Sequence, residues 1–227
     1  MQYDQQPRSV TVAQKAPSLL ATHVVLRKTY FLLSLTLLFS GLMAAIAMKT
    51  NAPSLGWLSL IGSLGLLFLT MFLRNSPWGL VAVFAFTGFW GYTMGPFLNM
   101  YIAAYANGAQ LIMTAMGGTG IIFFALSAYV LVSKKDFSFL GGFLFTGLIA
   151  ILIAAVVSMF FPMPMLQLMI SAVSMIIFSG YILYDTSAII QGGEQNYIMA
   201  TVRLFMDILL VFQNLLTLLG ALSGNRN

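Results

Sequence analysis

The sequence contains no cysteine and only one histidine among its 227 residues. The lack of cysteine excludes disulfides, thiol catalysis and thiolate metal sites. The one histidine, His23, precedes the first long apolar run. The later runs therefore cannot supply the histidine of a serine protease triad or the ligands of a membrane zinc enzyme.

Charged residues are also scarce. They make up 7% of the chain, against roughly 25% in soluble domains, whereas hydrophobic residues make up 60%, against about 45–50%. A soluble fold could not bury that much apolar surface. The ten Lys and Arg residues lie singly or in pairs between apolar runs rather than on one face. This pattern indicates membrane topology and not nucleic-acid binding.

Seven apolar runs are long enough to cross a bilayer, because roughly 30 Å of hydrocarbon requires about 20 helical residues. They are separated by "KTNAP", "RNSP", "YANG", "SKKD", "FPMP" and "QGGEQN", whose Pro, Gly, Asn and charged residues end helices and form turns. The sequence thus predicts an all-α integral membrane protein, a seven-transmembrane-helix bundle. The predicted spans are residues 29–48, 54–73, 78–98, 109–132, 138–161, 165–190 and 197–222.

The predicted organisation is a cytoplasmic N-terminal tail over residues 1–28, a transmembrane domain over 29–222 and a short C-terminal tail over 223–227. The first 28 residues are polar and lack the apolar core of a removable signal peptide. Lys and Arg in short loops set orientation, and their distribution predicts a cytoplasmic N-terminus and a C-terminus on the far side. The cytoplasmic side would hold Arg8, Lys15, Arg27, Lys28, Arg74, Lys134 and Lys135, and the other side Lys49 and Arg226.

Small residues recur within the spans, as in "GYTMG" at Gly91 to Gly95 and "MGGTG" around Gly118. Such residues allow helices to approach closely in lipid, so we interpret them as packing sites. The dipeptide Gly95-Pro96 predicts a break or kink in the third span.

Two of the five carboxylates, Asp185 and Asp207, fall within apolar runs. A charge at that depth costs about 2.5–3.5 kcal/mol, so an intramembrane carboxylate points to function. If the last two spans form an antiparallel hairpin turning at Gly192-Gly193, both residues lie very roughly 10–15 Å below the cytoplasmic surface. They can then meet and share one proton as a pH sensor. The alternative is that each Asp separately caps a neighbouring helix or pairs with a basic residue.

Residues seven and eleven positions apart share a helix face, which predicts two polar stripes. One joins Arg203, Asp207 and Asn214 on the last span, and the other joins Tyr181 and Asp185, with Ser171 and Ser174, on the sixth. A single polar stripe on an apolar helix should be buried in the bundle, so the last span is expected to be central. Arg203 or Arg74 could supply the counter-ion, or either could extend to the lipid headgroups.

Several segments together resemble the Bax inhibitor-1 (transmembrane BAX inhibitor motif) family. "FSGYILYDTSAII" followed by "FMDILLVFQNLL" is similar to its paired-aspartate signature, and "KKDFSFLGG" to its fourth loop. "THVVLRKTYFLLSLTLLFSG", "FAFTGFWGYTMGPFLNMY" and "GGEQNYIMATV" are closer to its bacterial, YccA-like branch.

The resemblance implies a seven-helix fold whose last helix is wrapped by six others. The bacterial branch implies a bacterial inner-membrane location and a partner, the FtsH protease complex, whose attack on membrane substrates it restrains. Relatives with both aspartates imply instead a pH-gated calcium leak. In that case Asp185 and Asp207 would form the ion pathway and transient calcium site, and Arg74 would lie near the position of a latching Arg.

Other membrane functions fit less well. Presenilin-like proteases also carry Tyr-Asp on one span, as at Tyr184-Asp185, but their second Asp follows Gly-x-Gly, whereas Asp207 follows "LFM". A retinal protein needs a Lys in its last span, and this one has none. We therefore expect no enzymatic activity and no cofactor, and the sequence leaves a protease regulator and an ion leak as the two candidates.

Overall fold

The computed structural model describes residues 19–161 and 163–224, and every regular element in these ranges is helical. The predicted tail up to residue 18 and the last three residues, with the basic residues they contain, lie outside the described ranges. A short 3₁₀ turn, Ser138–Leu140, precedes the fifth helix. The helices are α1 (Leu19–Lys49), α2 (Trp57–Leu73), α3 (Trp78–Ala104), α4 (Gly108–Ser133), α5 (Gly141–Phe160), α6 (Pro164–Ile190) and α7 (Tyr197–Gly224).

Six of the helices in the described chain are long and apolar enough to cross a membrane. The exception is α2, which is apolar but has only 17 residues. The observed bounds follow the predicted runs closely, with two differences. Helix α1 begins at Leu19 rather than at residue 29, and α3 continues to Ala104 rather than ending at residue 98.

The sequence predicted a break or a kink at Gly95-Pro96. Helix α3 is continuous there, so the break is wrong. The helix includes Pro96 and runs on to Ala104. Proline removes one backbone donor and crowds the preceding turn, but neighbouring helices in a membrane bundle can hold such a segment helical.

Helix α3 lies very close to α1 at the "GYTMG" segment. A Cβ atom added at Gly91 would collide with the backbone carbonyl of Ser40, and one added at Gly95 would collide with Ala47. The two glycines are four residues apart and therefore lie on one face of the helix. Their missing side chains allow the backbones of α1 and α3 to touch.

Helix α7 packs against several helices of the described bundle. It packs against α1, α3, α4 and α6, whereas α5 packs on α6 and α2 on α3. Its apolar side chains Leu204, Phe205, Val211 and Leu216 are fully buried. This packing also buries the polar side chains of Thr201 and Asp207.

Candidate functional site

The candidate site lies at the hairpin formed by α6 and α7. Gly192 turns the chain after α6 with a φ of 77°. Only glycine adopts this left-handed conformation without strain. The amide of Glu194 then donates to the carbonyl of Ala188 at 3.1 Å and closes the turn. The hairpin therefore brings the end of α6 beside the start of α7.

Asn196 fixes the start of α7. Its side-chain oxygen accepts hydrogen bonds from the amides of Ile198 at 3.0 Å and Met199 at 3.1 Å, which would otherwise lack partners in the first helical turn. Its side-chain nitrogen donates to the carbonyl of Arg74 at 3.0 Å and to Oδ1 of Asn75 at 2.9 Å. One residue thus caps α7 and connects the hairpin to the loop between α2 and α3.

The other side of the hairpin is anchored by Ser187 on α6. Its hydroxyl accepts a hydrogen bond from the amide of Phe137 at 2.9 Å and donates to the carbonyl of Lys135 at 3.3 Å. The side chain of Gln191 donates to the carbonyl of Lys134 at 3.1 Å. The "SKKD" loop is therefore attached to the end of α6 that carries the first aspartate.

Asp185 and Asp207 face each other across the hairpin. Asp185 is 7% exposed and Asp207 6% exposed. Their carboxyl groups lie close enough for each to affect the charge of the other. At 1.5 Å per residue, Asp207 lies about 15 Å along α7 from Tyr197, and Asp185 lies about 7 Å before the end of α6.

The environment of the two carboxyl groups is not equivalent. Oδ2 of Asp207 is buried without a hydrogen-bond partner among the described residues. Asp185, nearer the end of its helix, has a cation beside it. Two adjacent carboxylates in a low dielectric repel each other strongly, and one shared proton removes the repulsion. The arrangement can therefore hold a proton between α6 and α7.

Arg203 is the cation beside the pair. Its Nη1 atom lies 3.8 Å from Oδ1 of Asp185, and its Nη2 atom lies 3.3 Å from Oε2 of Glu194. Glu194 also accepts a hydrogen bond from the amide of Asn196 at 2.9 Å. Since Arg203 is 46% exposed at its side chain, it joins the buried pair to the surface loop.

Arg74, the other counter-ion predicted from the sequence, is not brought to the pair. It follows the last residue of α2, its side chain is exposed, and it forms no ion pair within the described residues. Its backbone, through the bond from Asn196, is what contacts the hairpin.

Four other residues belong to the predicted stripes: Ser171 and Ser174 are buried, and Tyr181 and Asn214 are half-buried. Tyr181 lies one turn before Asp185 on α6 and packs against Phe178, with ring centroids 6.1 Å apart. Asn214, two turns beyond Asp207, donates to the carbonyl of Leu210 at 2.7 Å. Its side chain thus satisfies a bond within α7 and does not reach the carboxylates.

Sequence reasoning missed Glu194, which looked like an ordinary loop acid. Glu194 lies in the turn before α7, nine residues before Arg203. Helical spacing therefore could not predict that the two side chains meet. Within the described chain, no three His, Cys, Asp or Glu side chains cluster in a way that could hold a metal ion. An ion meeting the aspartate pair would have to complete its coordination with water or backbone oxygens.

Comparison with known proteins adds a family and several relatives. The family described as "Bax1-I: Inhibitor of apoptosis-promoting Bax1" matches residues 22–224. A protein of Escherichia coli K12 named "Modulator of FtsH protease YccA" is 50% identical over 214 residues, which cover 94% of this chain and 97% of that protein. Its counterpart in Escherichia coli O6:H1, with the same identity and coverage, is named "Inner membrane protein YccA". An uncharacterized protein of Pseudomonas aeruginosa is 52% identical over 88% of this chain and 90% of its own length.

Proposed function

The chain belongs to the Bax inhibitor-1 family, and we propose that it is a non-enzymatic regulator of the FtsH protease in the bacterial inner membrane. The observation that carries this proposal is 50% identity, over 94% of the chain, to a protein named as a modulator of that protease. A similarity that spans all the helices and loops supports a shared partner as well as a shared fold.

The proposed architecture is a bundle of seven spans with α7 at its centre, the N-terminus in the cytoplasm and the C-terminus in the periplasm. The packing of α7 against four other helices supports the central position. Helix α2, at 17 residues, is about 25 Å long and lies at the short end of the range for a span. The alternation of seven spans places Arg27, Arg74 and Lys134 at one end of the bundle, as the positive-inside rule requires.

The aspartate pair is the proposed responsive element of this regulator. Asp185 and Asp207 belong to the two helices that the hairpin joins, and Arg203 holds one of them. Removal of the shared proton would leave two negative charges between α6 and α7, whereas Arg203 can offset only one. The resulting repulsion would bias the helices toward a separated arrangement.

Co-purification from native membranes tests the proposed partner. Affinity-tagged protein, expressed at its natural level, should retain FtsH, whereas an unrelated tagged membrane protein of similar abundance should not. In a strain that lacks this gene, FtsH should degrade a membrane substrate faster than in the parent strain. The absence of both effects would contradict the proposal.

A second candidate, a pH-gated calcium leak, is favoured by one observation. Two carboxylates buried within apolar helices, with a single half-exposed Arg, form a site that a passing cation could use. Calcium flux into proteoliposomes that contain only this protein tests it. Flux no greater than that of protein-free vesicles would exclude the leak and leave the protease proposal untouched.

A further inference from the structure

An apolar cavity lies between α1 and α4. Helix α1 packs on α3 and α7, and α4 packs on α6 and α7. Tyr30 of α1 and Phe123 of α4 meet with ring centroids 5.9 Å apart, but the two helices do not pack along each other. The space between them has a volume of about 520 Å³. This volume lies within the range of roughly 300–1,000 Å³ that is typical of ligand sites.

The cavity has a closed inner wall and an open outer side. Phe205 and Ile208 of α7 and Leu98 of α3 form part of the inner wall and are buried. On the outer side, Met116 and Phe124 of α4 are 62% and 69% exposed. The opening therefore faces the surroundings of the bundle, which in a membrane is the hydrocarbon.

Two glycines widen this opening. Gly41 of α1 and Gly120 of α4 both line the cavity, and a Cβ atom added at either one would meet no heavy atom within 4 Å. They differ in this respect from Gly91 and Gly95, which are required for backbone contact. The space beside Gly41 and Gly120 is not used for packing within the bundle.

Two hydroxyl groups on the cavity wall have no hydrogen-bond partner among the described residues, those of Tyr30 and Thr119. Thr119 is 3% exposed. A threonine within a helix usually donates to a carbonyl of its own preceding turn, and Thr114 of the same helix does so. A buried hydroxyl without a partner is costly, so a side-chain rotation that brings it to a ligand oxygen in the cavity would be favoured.

The mouth of the cavity is basic. Tyr30 also lines a second hollow at the N-terminal end of α1, and this hollow is bordered by His23 and Arg27 and by Leu131 of α4. Arg27 is exposed and forms no ion pair with a described carboxylate. Basic pockets between transmembrane helices bind anionic lipid headgroups.

We propose that the gap between α1 and α4 binds one anionic phospholipid, with its phosphate at Arg27 and His23 and an acyl chain in the apolar cavity. The ester oxygens would then lie near the hydroxyl of Tyr30, one helical turn deeper than Arg27. The α1 residues that line the cavity extend from Tyr30 to Met48, about 27 Å along the helix. The cavity is therefore long enough to hold one extended acyl chain that enters beside Tyr30. This site goes beyond the proposed function and does not depend on it.

Native mass spectrometry of the full-length protein in mild detergent tests the site with two lipids. Dioleoyl phosphatidylglycerol and dioleoyl phosphatidylcholine have the same acyl chains, but only the first has a net negative headgroup. The wild type should retain phosphatidylglycerol in preference to phosphatidylcholine, in a one-to-one complex. Arg27→Gln should remove this preference.

Variants that fill the cavity test the proposed acyl-chain site independently of the headgroup site. Gly120→Leu and Gly41→Leu should each reduce retained phosphatidylglycerol by roughly tenfold, because each leucine displaces about two lipid methylenes. Gly65→Leu is the matched control, since Gly65 of α2 also has no atom within 4 Å of an added Cβ but does not line the cavity. All three variants should melt at or above the wild-type temperature, because leucine is a better helix former than glycine.

Three results would overturn the proposal. Equal retention by Gly120→Leu, Gly41→Leu and Gly65→Leu would show that lipid binds elsewhere. Equal retention of both lipids by the wild type would exclude an anionic headgroup. A wild-type dimer that becomes monomeric in Gly120→Leu, with no change in bound lipid, would show that the occupant is a second copy of the chain.

Discussion

Arg203 of α7 forms one of its two ion pairs with Asp185 of α6, at 3.8 Å between Nη1 and Oδ1. Asp207, one helical turn further along the same helix, was the more obvious partner from sequence spacing. A long basic side chain near the end of a membrane helix extends toward the aqueous end, and the deeper carboxylate lies in the opposite direction. The ion pair therefore joins the two helices of the hairpin.

We expect Arg203→Gln to destabilise the protein by about 1–2 kcal/mol, because it leaves buried Asp185 without a cation. A pair of which both members are buried would cost more, but Arg203 is 46% exposed and water screens part of the loss. Thermal or denaturant unfolding in detergent measures the effect. Arg74→Gln is the control, since Arg74 forms no ion pair in the described chain, and equal losses in the two variants would contradict the assignment.

Glu194→Gln should cost less than Arg203→Gln. Its amide oxygen can still accept the hydrogen bond from the backbone of Asn196, and Arg203 keeps Asp185 as its partner. The double variant Arg203→Gln with Asp185→Asn should recover part of the stability lost in Arg203→Gln alone. A purely additive double variant would show that the two side chains do not interact.

The aspartate pair predicts that ion flux depends on pH, and the sign of this dependence follows from the charges. Raising the pH removes the shared proton, so two negative charges then repel each other between α6 and α7, and cations and water should enter more readily. Any ion flux in proteoliposomes should thus increase between about pH 5 and pH 8 in the wild type. Asp185→Asn and Asp207→Asn should both reduce the dependence, because a neutral amide cannot repel the remaining carboxylate.

The control for this pair is Asp136→Asn, because Asp136 is exposed. The carboxylate of Asp136 accepts a hydrogen bond from the amide of Ser138, and the side-chain oxygen of an asparagine can accept the same bond. Its pH profile should match that of the wild type. If both intramembrane variants keep the wild-type profile, the aspartates are not the sensor.

The close contact between α1 and α3 predicts that one added methyl group at Gly91 strongly destabilises the protein. Gly91→Ala places a Cβ against the backbone carbonyl of Ser40, which cannot move without shifting α1, and should cost about 2–3 kcal/mol. Gly65→Ala adds the same atom where nothing lies within 4 Å and should be neutral or slightly stabilising. Unfolding of the two variants should be measured side by side. Equal stabilities would refute the close packing of α1 and α3.

If the chain regulates FtsH as proposed, we expect its polar N-terminal segment to be a handle for proteolysis, because a membrane-anchored protease can pull on a polar chain end. Deletion of residues 2–15 should lengthen the lifetime of the protein in cells and strengthen its restraint of FtsH. Replacement of the segment by another polar sequence of equal length should restore turnover. Unchanged lifetime and unchanged FtsH activity after the deletion would show that the segment has no such role.

The sequence by itself determined the helices and the identity of the key acids. Long apolar runs must become helices in lipid, because every backbone group needs a partner there, so the predicted runs agree with α2, α4, α5, α6 and α7 to within a few residues. Hydropathy predicted helix ends least well where a helix continues beyond its apolar run, as at the start of α1 and the end of α3. Asp185 and Asp207 could be identified because a carboxylate in an apolar run is expensive and therefore conspicuous.

Only the tertiary structure decided which side chains meet. Arg203 had candidate partners on its own helix and on the preceding one. Glu194 gave no periodic signal, because contacts across a turn depend on how the hairpin closes at Gly192. The α1–α4 cavity was equally invisible in the sequence, since it depends on how far apart the two helices lie. The glycines at "GYTMG" and "MGGTG" read alike, yet Gly91 touches a backbone and Gly120 borders open space. Spacing along one helix defines its faces, but the packing of the other helices determines what each face contacts.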